Sequence, residues 1–170
     1  MAQQSAQQRN VTLVREIHDH PPTHLAGIEN LVREKLKTKD VIVILGLEDD
    51  NIHTLTIDAQ PVLRRGQKTS SQQIEEFKTI HHRQEYKEMF ERLLSDIPPN
   101  KKIIVVGIDD AELAASKDSI SLGTRRDRAM KAKIEAACDI HGASELICAI
   151  VQLIYLTLPI KDKIKENVWG

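Results

Sequence analysis

Acidic residues at the ends of apolar segments are the part of this sequence whose type and spacing best suit chemistry. Glu48 follows the segment 41–47 and Asp109 follows the segment 102–108, and both segments are rich in Val and Ile and end in Gly and one apolar residue. Short runs of this kind are typical of strands buried on both faces. Carboxylates that follow such strands project from the edge of a sheet, where α/β proteins often place their chemistry.

A divalent cation is the ligand that such carboxylates favour. Mg²⁺ or Mn²⁺ needs two or three carboxylates on rigid elements, with water and substrate phosphate completing the shell. If the two strands are neighbours, Glu48 and Asp109 converge, and a helix carrying Glu145 can pack across the same edge. Two such ions would support in-line attack on a phosphodiester. The alternative is that acids after strands solubilise turns and cap helices.

A basic segment near the middle of the second half of the chain is the candidate phosphate site. A Gly-Thr pair that opens a helix presents free backbone N–H groups, which favour anions. The basic loop Arg64, Arg65 and Lys68 would extend the same strip. The alternative is a solvated basic helix face. The predicted phosphate-binding residues are Gly123, Thr124, Arg125, Arg126 and Arg128.

Histidine and cysteine give weaker signals. His18, His20 and His24 cluster before the first helix, and a His-x-His segment can bind zinc, but surface histidines explain the pattern as well. Cys138 and Cys148 have neither disulfide nor zinc spacing and are predicted to be buried free thiols, which indicates a reducing compartment.

Bulk composition narrows the class of protein. The chain has 170 residues, 41% of them apolar and 29% charged, as in an ordinary globular domain. A formal charge of −1 gives no global attraction to nucleic acid or to anionic lipid, so such binding needs a local patch. The polar N-terminus lacks a signal peptide and no segment is long enough to span a bilayer, so we expect a cytoplasmic protein without membrane association.

The elements that must position the candidate residues alternate between helices and strands. Residues 1–22 are predicted to be an N-terminal arm, and residues 23–170 a single α/β domain. We expect helices over 23–37, 70–95 and 124–138, and a hairpin formed by the strands 41–47 and 52–57, with a further strand at 102–108. The prediction is a three-layer domain with a mixed sheet of three to five strands and flanking helices.

The apolar segment after residue 143 is predicted to be a helix that runs to residue 158, followed by a polar helical tail at 161–168. A helix that is apolar all round must be buried on more than one side. Either it is central to the domain or it packs against a second chain, as in obligate dimers. A homo-oligomer or a protein partner is therefore expected beside the possible nucleic-acid partner.

Two segments resemble the ribonuclease H-like superfamily, in its branch related to Holliday-junction resolvases. Ile44-Leu-Gly-Leu-Glu48 with the strand 52–57 resembles the opening hairpin of that family, and His141-Gly-Ala-Ser-Glu145 resembles the start of its acid-bearing final helix. The resemblance implies that Glu48, Asp109 and Glu145 are the catalytic and metal-binding acids. The sequence departs from the family pattern because Glu stands where Asp is usual in the first acid and the last.

These observations leave two functions open. The first is a metal-dependent protein that binds or cleaves nucleic-acid phosphodiesters, with Mg²⁺ or Mn²⁺ as cofactor. The second is a non-catalytic oligomeric adaptor that makes protein contacts through its apolar C-terminal helix. An added methylene can misplace a catalytic carboxylate and cost about 10²-fold in rate, so the sequence leaves enzymatic activity undecided.

Overall fold

Strands and helices alternate along the chain in the computed structural model, which describes residues 10–15, 23–38, 43–47, 54–60, 63–77, 83–108, 119–143, 145–150 and 164–167. The strands in these residues are β1 Asn10–Arg15, β2 Val43–Leu47, β3 Leu55–Asp58, β4 Lys102–Gly107, β5 Glu145–Ile150 and β6 Ile164–Asn167. The helices are α1 Thr23–Thr38, α2 Ser70–Glu75, α3 Arg83–Asp96 and α4 Ser119–His141.

One mixed sheet contains all of these strands, in the order β3-β4-β2-β5-β1-β6. The paired strands run parallel to each other, except that β3 runs antiparallel to β4. The predicted α/β fold class is confirmed. The described residues form six strands where three to five were expected, because three segments outside the predicted strands also join the sheet. One of them is β1, which lies in the segment predicted to be an arm.

Two hydrophobic clusters, one on each face of the sheet, show why β4 reads as a continuous apolar run. Successive side chains of a strand point to opposite faces. Ile103 and Val105 accordingly join the cluster that contains residues of α1 and α3, whereas Ile104 and Val106 join the cluster formed with α4. The sheet therefore lies between two helical layers, which confirms the three-layer architecture.

The predicted hairpin of β2 and β3 is wrong, because β4 lies between these two strands. β3 pairs instead with β4, with Leu55 opposite Val105. The physical reason is burial. β2 and β4 are apolar enough to be covered on both faces and occupy inner positions, whereas β3 carries the half-buried Thr56 and suits an edge. One of the two segments that resemble the ribonuclease H-like family thus has a different pairing here.

The predicted helix over 70–95 is also divided, into α2 and α3. Phe77 follows α2 outside helical structure and is buried, with its ring centroid 4.9 Å from that of Phe90 at an interplanar angle of 84°. Edge-to-face packing of this kind is favourable. It brings α2 back against α3, where an uninterrupted helix would carry the two segments apart.

The predicted helix over 143–158 is wrong for residues 145–150, which form β5. Leu146, Ile147 and Cys148 are buried because β5 lies between β1 and β2 with a hydrophobic cluster on each face. A short, continuous apolar segment is as typical of an inner parallel strand as of a buried helix. Ile164–Asn167 is likewise a strand, although a helical tail was predicted there. Residues 151–158 lie outside the described part of the chain.

Side chains of α2 cover the outer edge of β3. The backbone N–H of Thr56 donates to Gln73 Oε1 at 2.9 Å, and that of Asp58 donates to Ser70 Oγ at 3.0 Å. Ser70 Oγ in turn donates to the Thr56 carbonyl at 2.6 Å. An exposed edge strand is a template for unwanted pairing, so these bonds protect this end of the sheet. Thr69 and Gln72 hold α2 in place through a capping box.

The helices that follow β2 and the helix that follows β4 pack on opposite faces of the sheet. The chain from β2 reaches β4 through β3, α2 and α3, and residues of the two helices belong to the first hydrophobic cluster. The chain from β4 reaches β5 through α4, whose residues belong to the second cluster. In α/β proteins, ligands often bind at the carboxyl ends of neighbouring parallel strands whose helices lie on opposite faces of the sheet.

Candidate functional site at the carboxyl ends of β2 and β4

The segments that precede the two predicted acids are neighbours in the sheet. β2 pairs in parallel with β4, and Leu47 at the end of β2 lies opposite Gly107 at the end of β4. Glu48 is the next residue after Leu47 in the sequence. The condition that the sequence set for convergence of Glu48 with Asp109, adjacency of the two strands, is therefore met.

Ile108 fixes the direction in which the chain leaves β4. A Cβ atom built at Gly46 would lie 3.2 Å from Ile108 Cγ2 and 3.3 Å from Cys148 Sγ. The Ile108 side chain, which is only 1% exposed, therefore lies directly over the backbone of β2. Glycine at position 46 makes this approach possible. Asp109 follows Ile108 directly in the sequence, and Ile108 is the last described residue before it.

The five acids that follow β2 and β4 lie outside the described residues. They are Glu48, Asp49, Asp50, Asp109 and Asp110. Their side-chain geometry therefore remains a prediction, and the structure contributes the position of the strands that carry them. Among the residues that the structure does describe, no group of three or more His, Cys, Asp or Glu side chains is arranged to hold a metal ion.

Glu145 lies at the other end of the sheet. It is the first residue of β5 and pairs across the sheet with Asn10 and Val43, whereas Leu47 pairs with Ala149. Four residues of strand correspond to about 13 Å, so Glu145 is separated from the carboxyl ends of β2 and β4 by most of the strand length. The expectation that a helix carries Glu145 to the edge where Glu48 leaves the sheet is thus corrected.

The surroundings of Glu145 explain what this carboxylate does instead. It is only 3% exposed. Asn10 Nδ2 donates to Oε1 at 2.9 Å, and Lys35 Nζ lies 3.4 Å from Oε2. The three residues belong to β5, β1 and α1, so one buried carboxylate links three elements. Buried charges are tolerated when they are paired and hydrogen-bonded, and this arrangement is typical of a structural anchor.

The predicted Gly-Thr helix start is wrong, because α4 begins at Ser119. Gly123 and Thr124 then fall inside the helix, where backbone N–H groups bond to carbonyls one turn earlier rather than to a ligand. The charge of the arginines does not depend on this correction. Arg128 is exposed, and the structure describes the backbone of Arg125 and Arg126 within the same helix.

The length of α4 carries its first turns past the carboxyl ends of the strands. The helix has 23 residues, which corresponds to about 34 Å, whereas a strand of six residues such as β5 spans about 20 Å. The other end of α4 is fixed near the start of β5, since the Ala143 N–H donates to the Cys138 carbonyl at 3.1 Å. The excess of about 14 Å corresponds to about nine helical residues, so the arginine-bearing segment lies near the level of the edge from which Glu48 and Asp109 follow.

The basic loop at residues 64–68 is not part of the same strip. It follows β3, whose last residue Asp58 lies opposite Lys102 at the amino end of β4. Lys68 forms an ion pair with Glu76, and the loop turns at Gly66, where φ is +86°. Glycine adopts this conformation without steric cost. The two basic groups thus occupy opposite ends of the sheet.

Both cysteines are buried and free, as predicted. Burial raises the pKa of the Cys148 thiol to about 12, and the neighbouring Cys138 adds to the rise. A thiol with such a pKa is protonated at neutral pH and is a poor nucleophile or metal ligand. His18 and His20 lie outside the described residues, and His24 is described only as part of the α1 backbone.

The sequence suggested Glu48 and Asp109 as candidates, but it did not single out Ile108 and Gly46, which pack together at the ends of the strands before them. Both residues belong to the repeated pattern of glycine, apolar residue and acid, which was the only feature of the sequence that drew attention to them. No local pattern marked Asn10 or Lys35 as partners of Glu145, since these contacts join distant parts of the chain. No protein-family model, curated protein or solved structure matches this chain. In the described part of the chain, no helix is long and apolar enough to cross a membrane.

Proposed function

We propose that this chain is a metal-dependent nucleic-acid-binding protein that acts on phosphodiesters at the carboxyl ends of β2 and β4. Glu48 and Asp109 would hold Mg²⁺ or Mn²⁺, and Arg125, Arg126 and Arg128 would contact phosphate. The observation that supports this most is the parallel pairing of Leu47 with Gly107, because Glu48 and Asp109 follow these two strand ends in the sequence. The proposal rests on this sheet edge and does not require the family resemblance.

Two carboxylates suffice for such a site even though Glu145 is elsewhere. Mg²⁺ usually keeps several waters and is bound through one or two carboxylates together with substrate phosphates. A bound Mg²⁺ or Mn²⁺ would supply charge stabilisation and an activated water. The chain's own contribution would be to carry the two acids directly after adjacent strands and to bring the arginines of α4 near the same edge. The reduced cysteines agree with the proposed cytoplasmic location.

The first experiment measures cation binding through thermal stability. At a Mg²⁺ or Mn²⁺ concentration of 100 times Kd, mass action adds about 2.7 kcal/mol, which raises the Tm of a domain of this size by roughly 5–10 °C. We expect the double variant Glu48→Gln with Asp109→Asn to lose this rise. Glu91→Gln, which changes an exposed acid on α3, should keep it. No rise in the wild type, or an equal rise in the double variant, would contradict the proposal.

The same variants separate binding from cleavage. Fluorescence anisotropy with labelled duplex DNA, duplex RNA and a four-way junction measures affinity, and gel analysis after incubation with Mn²⁺ measures cleavage. Changing the three arginines of α4 to Gln should reduce the salt dependence of binding, by about 0.9 in the logarithmic slope for each phosphate contact that is lost. Changing Arg64 and Arg65 to Gln at the other end of the sheet is the matched control. Equal effects of the two sets would contradict the proposed location.

A further inference from the structure

A cavity of about 480 Å³ lies where the last turns of α1 and α3 meet the chain that enters β4. Its volume falls in the range of sites for small organic ligands, about 300–1,000 Å³. The apolar part of its wall consists of Leu36, Leu93, Ile97 and Pro98. The cavity is at the amino end of β4, so it is separate from the edge where the acids follow the strands.

Lys101 is the buried polar group of this cavity. The residue is 9% exposed, and its Nζ donates to the carbonyl of Leu36 in the last turn of α1. That bond uses one of the three N–H donors of the ammonium group. Among the described residues, no carboxylate forms an ion pair with Lys101. The end of a helix carries only about half a negative charge, so the buried ammonium keeps net positive charge.

The remaining charged side chains do not remove this positive charge. Arg33 Nη1 lies 2.9 Å from Asp96 Oδ2, so these two neutralise each other at the mouth of the cavity. Lys37 and Glu34 also line the cavity at exposed positions, and their opposite charges offset each other. A buried charge without a counter-ion is costly, so an anion that reaches Lys101 would be favoured.

We infer that this cavity binds a small organic monoanion, a carboxylate with a compact aliphatic body. The carboxylate would contact the free donors of Lys101, and the aliphatic part would cover Leu93 and Ile97. This site is independent of the proposed metal site because it lies at the opposite end of the sheet. Its ligand needs neither a divalent cation nor the arginines of α4.

Nuclear magnetic resonance on the ¹⁵N-labelled full chain tests the inference with three probes of equal length. Octanoate should give saturable shifts confined to the backbone amides around the cavity, including Leu93, Ile97 and Lys101. Octylammonium and 1-octanol should bind at least tenfold more weakly, because they lack the negative charge. Equal binding of octanoate and 1-octanol, tighter binding of octylammonium, or shifts scattered over the surface would overturn the inference.

Variants at two adjacent lysines locate the charge that matters. Lys101→Met should weaken octanoate binding at least tenfold. Lys102→Met should leave it unchanged, because Lys102 is exposed, lies outside the cavity wall and has its Nζ 3.8 Å from Asp58 Oδ2. If Lys101→Met does not fold, Lys37→Glu at the cavity mouth provides the second test and should weaken binding several-fold. Unchanged affinity in the folded Lys101 or Lys37 variant would contradict the assignment, whatever the outcome of the metal titration.

Discussion

The two ends of the parallel strands differ in how their charged residues are accommodated. At the amino end, the carboxylate of Glu145 is bound by Asn10 and lies within ion-pair distance of Lys35, and Lys101 donates to the last turn of α1. Both charged groups are buried, but Glu145 has a cation within ion-pair distance, whereas Lys101 has only a carbonyl acceptor. Buried charge with such partners serves cohesion, since it links strands and helices that are distant in sequence.

At the carboxyl end, the described residues define where the strands β2 and β4 end. The strands β2 and β4 stop side by side, with Ile108 over Gly46, and the next residues in the sequence include Glu48 and Asp109. In α/β proteins, residues that follow the carboxyl ends of parallel strands often contact a ligand. The comparison shows that the position of a carboxylate along the strand matters more than its residue type. Glu145 at the start of a strand is a structural group, whereas Glu48 after the end of a strand is a candidate ligand-binding group. Glu145 and Glu48 carry the same side chain at opposite ends of the sheet.

The largest expected effect comes from removing the anchor. Glu145→Ala should lower the free energy of unfolding by about 3 kcal/mol, because it leaves the half-buried Asn10 and Lys35 without their carboxylate and empties a buried site. Glu48→Ala should change stability by less than about 0.5 kcal/mol in the absence of metal, as for a surface substitution. Urea unfolding of both variants in EDTA measures the contrast. Equal destabilisation by the two substitutions would remove the distinction between the ends.

Gly46→Ala has the next largest effect, and it tests the geometry of the carboxyl end. The added Cβ meets Ile108 and Cys148 at 3.2 and 3.3 Å, and overpacking of this kind costs about 1–3 kcal/mol. Because Ile108 must shift, the variant should also bind Mg²⁺ more weakly if the proposed site is correct. Calorimetry on the folded variant measures that affinity.

Gly142→Ala is the matched control for this substitution. Gly142 has a φ of +65°, and no atom lies within 4 Å of the position that an added Cβ would occupy, so its replacement strains the backbone without crowding a neighbour. We expect a cost of about 1 kcal/mol in stability and no change in Mg²⁺ affinity. If both glycine variants lower Mg²⁺ affinity equally, the effect is one of general stability, and the role given to Ile108 at the sheet edge is wrong.

Local pattern predicted the elements better than it predicted their arrangement. The stripe of Leu25, Ile28 and Val32 predicted α1 closely, because amphipathic periodicity is set within a few turns. The strands 43–47 and 102–107 were found for the same reason. Which strands pair is decided by burial of whole faces, so the place of β3 beside β4 had no local signal.

The segment that begins at Glu145 shows the limit most clearly. Its apolar residues fit a buried helix and a buried strand equally well, and only the space between β1 and β2 decides for the strand. That one choice moved Glu145 from the candidate site to the amino end of the sheet. The adjacency of β2 and β4 was stated only as a condition, and the structure meets it.

The smallest expected effect on stability comes from the ion pairs of Glu29 with Arg33 and Arg92, on the surface of α1 and α3. Glu29 on α1 accepts hydrogen bonds from Arg92 on α3, at 2.7 and 3.0 Å, and from Arg33. Burial acts to raise the pKa of Glu29, but the hydrogen bonds and charges of Arg92 and Arg33 outweigh it, so the pKa lies below its ordinary value of 4.5. The carboxylate form is therefore the form that stabilises the fold.

Glu29→Gln should consequently make stability less sensitive to acid. A group whose pKa is lowered by folding stabilises the protein above its unfolded-state pKa, and this contribution is lost as the pH falls through the lower folded-state pKa. At pH 7 the substitution should cost roughly 0.2–1 kcal/mol, because Arg92 is largely exposed and its ion pair is screened. Below about pH 4.5 the difference from the wild type should shrink. Unfolding curves from pH 7 to pH 3 measure it, and a cost that persists unchanged in acid would place the effect in packing rather than charge. In that case the charge of Glu29 would contribute little to stability. The charge comparison would then concern only Glu145 at the amino end of the sheet and the acids that follow the strands at the carboxyl end.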